Sequence, residues 1–288
     1  MKYFLLYIGL FAQLYIHAQG SSNVYTTADP FNYWRLSEGD SAFVFVDKAY
    51  IRAEPSLKSK LLDSLSTGTL VIIKSPGYNS STIKGFEAPW HKITYKIDNQ
   101  QKSGFIWIGL LALGRHVDAN RNQYIHGFEK YIPETNDDPG YYICDIKLLD
   151  KSGNLISKYT FKPQLFDQRY TQSKLLTGMG LDGIQHIYRI MFSGEACGVP
   201  TNYYYTGWDG NRFIEMPMRY TVSDAGVFYY EEKMLFPSEH NIEPNVIYKE
   251  IEEGEVIDPD ANDYKYKNKR KREKYRWDGQ QFVTVSDR

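Results

Sequence analysis

The most reactive side chains in this sequence belong to two cysteines and a few scattered histidines. Cys144 and Cys197 are the only cysteines, and His186 lies between them along the chain. A thiol within hydrogen-bond reach of a histidine could serve as the nucleophile of a hydrolase. However, neither cysteine opens a recognisable helix, and the motifs Gly-x-Ser-x-Gly and His-Glu-x-x-His are absent from the sequence. We therefore predict that the protein is not an enzyme. A hydrolase with its catalytic groups in the C-terminal half is the alternative.

The N-terminus has the pattern of a secretory signal peptide. Lys2 gives it a positive start, residues 3–16 are mainly apolar, and a polar segment follows at 20–23. The apolar stretch is too short for a comfortable transmembrane span, so we predict a signal peptide at residues 1–19. The alternative is an uncleaved N-terminal anchor. A cleaved protein is expected to be periplasmic or secreted, without stable membrane insertion.

Export would allow the two cysteines to pair, because disulfides persist in oxidising compartments. We therefore predict a disulfide between Cys144 and Cys197, with two buried free thiols as the alternative.

The distribution of charge argues against nucleic acid as a partner. The formal net charge is −1, but residues 250–263 are rich in acids and residues 264–276 are rich in bases. Opposite charges on adjacent segments can face each other across an antiparallel strand pair. We predict such a pair, joined by a turn at Pro259–Asn262. A basic run that binds polyanions is the alternative.

Two glycine- or acid-containing loops resemble cofactor sites but lack an essential feature. Residues 178–183 fit Gly-x-Gly-x-x-Gly, yet the segment after them favours a strand and not the helix that a dinucleotide site requires. Asp118, Asn120, Asn122 and Glu129 have calcium-loop spacing, but Gln123 stands where the loop needs glycine. We predict no cofactor and no metal site. A calcium-stabilised structural domain is a further alternative.

The elements that must position any site are predicted to be β-strands throughout. Residues 42–113 consist of short β-branched and aromatic segments separated by Gly, Pro and Ser, which is typical of a small all-β barrel. Four motifs follow one another here: Tyr50-Ile51-Arg52 with Pro55, Gly68-Thr69, Trp90 with Ile93, and Gly104-Phe105-Ile106. Their order resembles the bacterial SH3-like domain of cell-envelope proteins. Tyr50 and Phe105 depart from that family's usual Asn and Trp, and residues 75–89 form an insertion-like loop.

The resemblance covers about a quarter of the chain and implies a binding module. Aromatic rings provide contact area with little loss of entropy, which suits peptide or glycan ligands. We predict a groove on the barrel with these ligand-binding residues: Tyr50, Arg52, Glu54, Trp90, Phe105 and Trp107. The alternative is that most of these rings are core. We expect Trp90 and Phe105 to be partly core, and Tyr50 and Trp107 to be the more exposed.

The rest of the chain is divided by composition. Residues 20–41 form a lead-in whose rings pack on the first domain, residues 114–140 a polar connector, and residues 141–288 a second all-β domain, either a meander or a sandwich. Gln164–Leu176 is ambiguous between a short helix and an irregular crossover. Trp-Asp-Gly occurs at 208–210 and at 277–279, which predicts two related hairpins with positive φ at both central turn positions.

These observations predict an exported, non-enzymatic binding or scaffold protein. The SH3-like domain is expected to bind a peptidoglycan peptide or an envelope protein, and the alternative is a cell-envelope hydrolase.

Overall fold

The computed structural model describes residues 33–136, 139–194, 196–257 and 265–285. The predicted signal peptide, the first part of the lead-in and the turn at Pro259–Asn262 lie outside these ranges. Within them the protein is almost entirely β-structure, arranged as three antiparallel sheets, which confirms the all-β fold class. No helix in these ranges has both the length and the apolar character that a membrane span requires.

The first sheet contains the segment that resembles the SH3-like domain. Its strands are β1 (Ser41–Phe43), β2 (Lys48–Arg52), β3 (Leu61–Ser66), β4 (Leu70–Ile73), β5 (Tyr78–Ile83), β6 (Phe86–Ile97) and β7 (Gln100–Trp107). The strand order is β1-β4-β6-β7-β2-β3, and β5 pairs with β6. The pairings among the described strands leave β1 and β3 at opposite edges, so the sheet is not closed into a barrel. A 3₁₀ turn (Ile108–Leu110) follows β7.

The second sheet corrects the interpretation of residues 114–140 as a connector. Its strands are β8 (Gly114–Val117), β9 (Gln123–Ile132), β10 (Tyr141–Leu149) and β11 (Leu155–Phe161), in the order β11-β10-β9-β8. The first two lie within the supposed connector. They form because β9 carries buried residues, Tyr124, Ile125 and Phe128, among polar ones. Burial against neighbouring sheets therefore outweighs the polar composition of the segment.

The third sheet contains the predicted charge-paired hairpin and both Trp-Asp-Gly turns. Its strands are β12 (Tyr170–Thr177), β13 (His186–Ser193), β14 (Thr201–Trp208), β15 (Phe213–Glu215), β16 (Arg219–Asp224), β17 (Phe228–Leu235), β18 (Val246–Val256), β19 (Tyr266–Trp277) and β20 (Phe282–Val285). The order is β12-β13-β14-β16-β17-β18-β19-β20, with β15 on β14. A single helical turn, α1 (Pro237–His240), follows β17. The ambiguous segment at 164–176 is therefore irregular at first and a strand from Tyr170 onwards.

Both Trp-Asp-Gly segments form hairpins, as predicted, but the turn type differs from the prediction. Trp208 pairs with Phe213, and Trp277 pairs with Phe282. Only the glycines of these turns have positive φ, +99° at Gly210 and +92° at Gly279, so the Asp-Gly pair does not adopt positive φ at both positions. The preceding aspartate, Asp209 or Asp278, accepts two backbone N–H groups through its Oδ1 atom. The aspartate carboxylate therefore stabilises each turn, although the backbone of the aspartate does not have positive φ.

Aromatic rings connect the three sheets through one hydrophobic core. Phe86 of the first sheet lies 6.0 Å from Phe128 of the second, and Phe128 stacks at 6.3 Å on Phe192 of the third. Trp34 of the lead-in packs against Phe86, and its Nε1 atom donates a hydrogen bond to the Leu111 carbonyl. The described end of the lead-in thus packs rings onto the first sheet, as predicted.

Candidate functional site

Two of the predicted ligand-binding residues are fully buried. Trp90 and Trp107 lie opposite each other on β6 and β7, with exposures of 1 % and 0 %. The indole Nε1 of Trp107 donates to the carbonyls of Ala88 at 2.7 Å and Ser81 at 3.0 Å, and Phe86 packs on the ring at 4.8 Å. The prediction that Trp107 is exposed is therefore wrong. The β5–β6 hairpin and the second sheet cover this face, so neither indole can contact a ligand.

The other predicted residues lie at the surface of the first sheet. Alternation along β2 buries Ala49 and Ile51 and turns Tyr50 and Arg52 outward, and Tyr50 is 43 % exposed. The Arg52 guanidinium donates to the Ser59 carbonyl at 2.7 Å, which fixes the loop that carries the exposed residue Glu54.

Arg52 also pairs with Phe105 of β7, which connects β2 to a second aromatic group. The half-buried Phe105 makes an edge-to-face contact with Tyr78 at 6.0 Å. Tyr78 was missed because the sequence favoured a loop at 75–89. We name Tyr50, Arg52, Tyr78 and Phe105 the N-terminal surface.

The predicted disulfide is absent, and the two thiols have different environments. Cys144 is fully buried on β10, opposite Phe128 and Phe161, whereas Cys197 is exposed in the turn after β13. Sequence spacing could not reveal that one cysteine faces the core and the other faces solvent. Burial raises the pKa of the Cys144 thiol well above its ordinary value, which keeps it protonated and unsuited to nucleophilic attack.

Among the described residues, no histidine is hydrogen-bonded to either thiol. The histidine between them in sequence, His186, instead contacts the Tyr124 hydroxyl through Nδ1 at 3.2 Å. The geometry that would favour the hydrolase alternative is therefore not formed by these three residues.

The residues with calcium-loop spacing are also separated. Asp118 caps the turn between β8 and β9 by accepting the Asn122 backbone N–H at 2.8 Å, while Glu129 lies on β9 and contacts Lys84 at 3.5 Å. No group of three potential metal ligands occurs in the described ranges.

The glycine-rich segment at 178–183 forms a turn between β12 and β13, and the Asp182 carbonyl accepts the Trp277 indole N–H at 2.9 Å.

A cleft lies on the third sheet, where the sequence predicted no site. Its volume is about 780 Å³, and it is lined by β14, β16, β17 and the turn after β13. Arg219, at the start of β16, places its guanidinium carbon 3.6 Å from the centre of the Tyr203 ring. No local pattern predicts this contact, because Tyr203 and Arg219 come together only through the pairing of β14 with β16.

Comparison with known proteins provides no relative for this chain: no protein-family model, curated protein or solved structure matches it.

Proposed function

We propose that the protein is an exported, non-enzymatic binding protein of the bacterial cell envelope, and that the N-terminal surface binds a peptidoglycan peptide. The observation that carries this proposal is the exposed Tyr50 ring beside Arg52 on the outward face of β2. The order of motifs that resembles the SH3-like domain supports a binding module, and the signal-peptide pattern supports export. The alternative ligand is an envelope protein.

The chemistry of the N-terminal surface suits an extended peptide with charged groups. Tyr50 supplies a ring with few rotatable bonds, and Phe105 with Tyr78 supplies a second aromatic area. Arg52 is held by the Ser59 carbonyl, so less side-chain entropy is lost when it binds a carboxylate. Glu54 is exposed nearby and offers a carboxylate to a cationic group.

The proposal is tested by co-sedimentation of the chain lacking residues 1–19 with purified peptidoglycan. We expect the parent to sediment and a Tyr50→Ala, Arg52→Ala variant to bind about tenfold more weakly, a loss of about 1.4 kcal/mol. Phe166→Ala is the matched control, because this ring is 76 % exposed and lies in the loop between β11 and β12. Circular dichroism of each variant establishes that it is folded.

Equal sedimentation of parent and double variant would contradict a site on the N-terminal surface. Failure of the parent to sediment would contradict the peptidoglycan ligand. Capture of envelope proteins by the parent and not by the double variant would then support the alternative ligand.

A further inference from the structure

The cleft on the third sheet is lined mainly by hydroxyl groups. These hydroxyl-bearing residues are Ser193, Thr201, Tyr203, Thr221, Ser223, Tyr229 and Tyr230. A ligand with many hydroxyl groups of its own can both donate to and accept from such side chains. Polar groups make up the larger part of the lining, and Ala196, Val199, Val222 and Ala225 the smaller part, so the cleft suits a polar ligand better than an apolar one. We name it the hydroxyl cleft.

Arg219 is a fixed cation in the hydroxyl cleft. Its guanidinium stacks on Tyr203, its Nε atom donates to the Tyr205 hydroxyl at 3.1 Å, and Nη1 donates to the Glu232 carbonyl at 3.0 Å. These three contacts determine the position of the guanidinium and do not involve its Nη2 atom. Arg219 forms no ion pair with a carboxylate in the described ranges.

A second guanidinium lies on the same tyrosine. Arg189 of β13 has its guanidinium carbon 5.7 Å from the centre of the Tyr203 ring. Its Nε atom is buried without a hydrogen-bond partner, and Arg189 likewise has no ion pair with a described carboxylate. Arg219 and Arg189 thus place two positive charges beside the Tyr203 ring, and the Nε atom of Arg189 lacks a hydrogen-bond acceptor. This part of the third sheet should therefore attract an anionic group.

The nearest buried carboxylate is engaged elsewhere. Glu232 accepts the Tyr220 backbone N–H at 2.9 Å and the Tyr230 hydroxyl at 2.9 Å, and it lies 3.5 Å from Lys249. It contacts Arg219 through its backbone carbonyl alone. The Glu231 side chain lines the cleft one strand away, opposite Thr221, where it can accept hydrogen bonds from ligand hydroxyls.

We propose that the hydroxyl cleft binds a carbohydrate that carries a carboxylate, of the uronic-acid type. The carboxylate binds the Arg219 guanidinium, and the sugar hydroxyls bind the hydroxyl groups of the cleft. A tyrosine ring of the cleft supports the apolar face of the sugar. Ser193 and Thr201 hydrogen-bond each other at 2.8 Å, and the Tyr229 hydroxyl donates to Glu252 at 2.8 Å. The hydroxyls of Tyr203, Thr221 and Ser223 therefore serve the ligand. A short peptide with a free carboxylate would use the same cation but would leave these three hydroxyls without partners, so the carbohydrate fits better.

The test is calorimetric titration of the chain lacking residues 1–19 with a galacturonic-acid trisaccharide and with its uncharged methyl ester. We expect the acid to bind and the ester to bind about tenfold more weakly, since a hydrogen bond to a charged group is stronger than one to a neutral group. Arg219→Gln should weaken binding of the acid to the level of the ester. Arg121→Gln is the matched control, because Arg121 is exposed in the turn before β9.

A second variant keeps the proposal testable if Arg219→Gln does not fold. Thr221→Val preserves the shape of the side chain and removes one hydroxyl from the cleft, and it should weaken both the acid and the ester by a similar factor. The Tyr50→Ala, Arg52→Ala variant should bind the trisaccharide as the parent does, because the N-terminal surface is a separate site.

Four results would overturn the proposal. They are no binding of the acid by the parent, equal binding of acid and ester, undiminished binding by a folded Arg219→Gln variant, and tighter binding of an N-acetyl dipeptide with a free carboxylate than of the trisaccharide. The last result would make a peptide the occupant of the cleft.

Discussion

Two antiparallel strand pairs in this protein differ in what surrounds their side chains. Across β6 and β7, Trp90 lies opposite Trp107, and another layer of structure buries both rings. Across β18 and β19, Glu252 lies opposite Arg270 with Nε and Oε2 3.1 Å apart, and both side chains remain in contact with solvent. Register alone therefore does not determine how much a cross-strand pair stabilises the protein.

The physical difference is the solvent around each pair. Burial of apolar area contributes about 25 cal/mol per Å² removed from water, and salt does not screen it. An exposed ion pair gains little because water already solvates both charges and dissolved ions screen their attraction. The tryptophan pair should therefore contribute most to global stability. The opposite charges that face each other across β18 and β19, Glu252 and Arg270 among them, form what we name the charged ladder. The charged ladder should determine local register and respond to ionic strength.

Removing one tryptophan of the buried pair should give the largest effect. We expect Trp107→Ala to lower the free energy of unfolding by about 3–5 kcal/mol, because a large cavity forms in the core. The carbonyl of Ala88 would also lose its hydrogen-bond donor. Urea denaturation followed by circular dichroism measures the change.

Tyr50→Ala serves as the control for Trp107→Ala, since it removes an aromatic ring that is exposed on the same sheet. Its effect should stay within about 0.5 kcal/mol, as for most surface substitutions. Similar losses in the two variants would show that the layer covering Trp107 does not stabilise the protein as the comparison requires.

Acid should destabilise the buried region through His126 of β9. This histidine is fully buried, its Nδ1 atom lies 3.0 Å from the Tyr188 hydroxyl, and burial lowers its pKa to about 3. Because the pKa is lower in the folded state, the unfolded state binds more protons once the pH falls below about 6.5. The stabilisation is complete above that pH and is lost towards about pH 3, by about 1.4 kcal/mol per pH unit.

Urea denaturation between about pH 7 and about pH 5 tests this expectation, since most carboxylates stay ionised in that window. His126→Gln should make the pH dependence shallower, whatever it does to stability at neutral pH. The dependence should not vanish, because burial also lowers the pKa of His91 and of His116. An unchanged slope in the variant would contradict a neutral, buried His126.

Local patterns in the sequence were sufficient where both partners lie close together along the chain. The acidic and basic segments at 250–276 predicted the pairing of β18 with β19, and Trp-Asp-Gly predicted two hairpins. The loop interpretation of 75–89 failed although β5 pairs with β6, the next strand along the chain, because the Gly, Ser and Asn content of the segment is typical of a loop. The Lys84-Gly85 turn that follows β5 is linked to the second sheet by a hydrogen bond, which the Tyr131 N–H donates to the Lys84 carbonyl at 2.8 Å. A Cβ on Gly85 would lie 2.2 Å from the Tyr131 carbonyl oxygen, so this contact requires glycine.

The site was less predictable than the fold. Tyr50 and Arg52 could be placed outward from alternation along a single strand. The burial of Trp107 could not be predicted, since it depends on the β5–β6 hairpin and on Phe128 of another sheet acting through Phe86. The hydroxyl cleft requires β14, β16 and β17 together, and no local pattern identifies Arg219 as the residue that stacks on Tyr203.

The smallest expected effect concerns the charged ladder, and ionic strength should separate it from the buried pair. Raising sodium chloride from about 0.05 M to about 1 M shortens the screening length to about 3 Å, close to the 3.1 Å between Arg270 and Glu252. Amide hydrogen exchange in the exposed part of β18 and β19 should then accelerate by about twofold, because exposed pairs contribute little. Amides of β6 and β7 should not respond.

Charge-removing variants identify the ion pairs as the source of that salt response. Glu252→Gln should accelerate exchange in β19 at low salt and reduce the further effect of salt, because Arg270 then lacks its partner. Glu38→Gln, an exposed acid that precedes β1, should leave β19 unchanged. If salt accelerated exchange equally in β6 and β18, or if Glu252→Gln left the salt response intact, cross-strand charge would not hold the ladder. Its stability would then come from the tyrosines and backbone hydrogen bonds that the two strands also share.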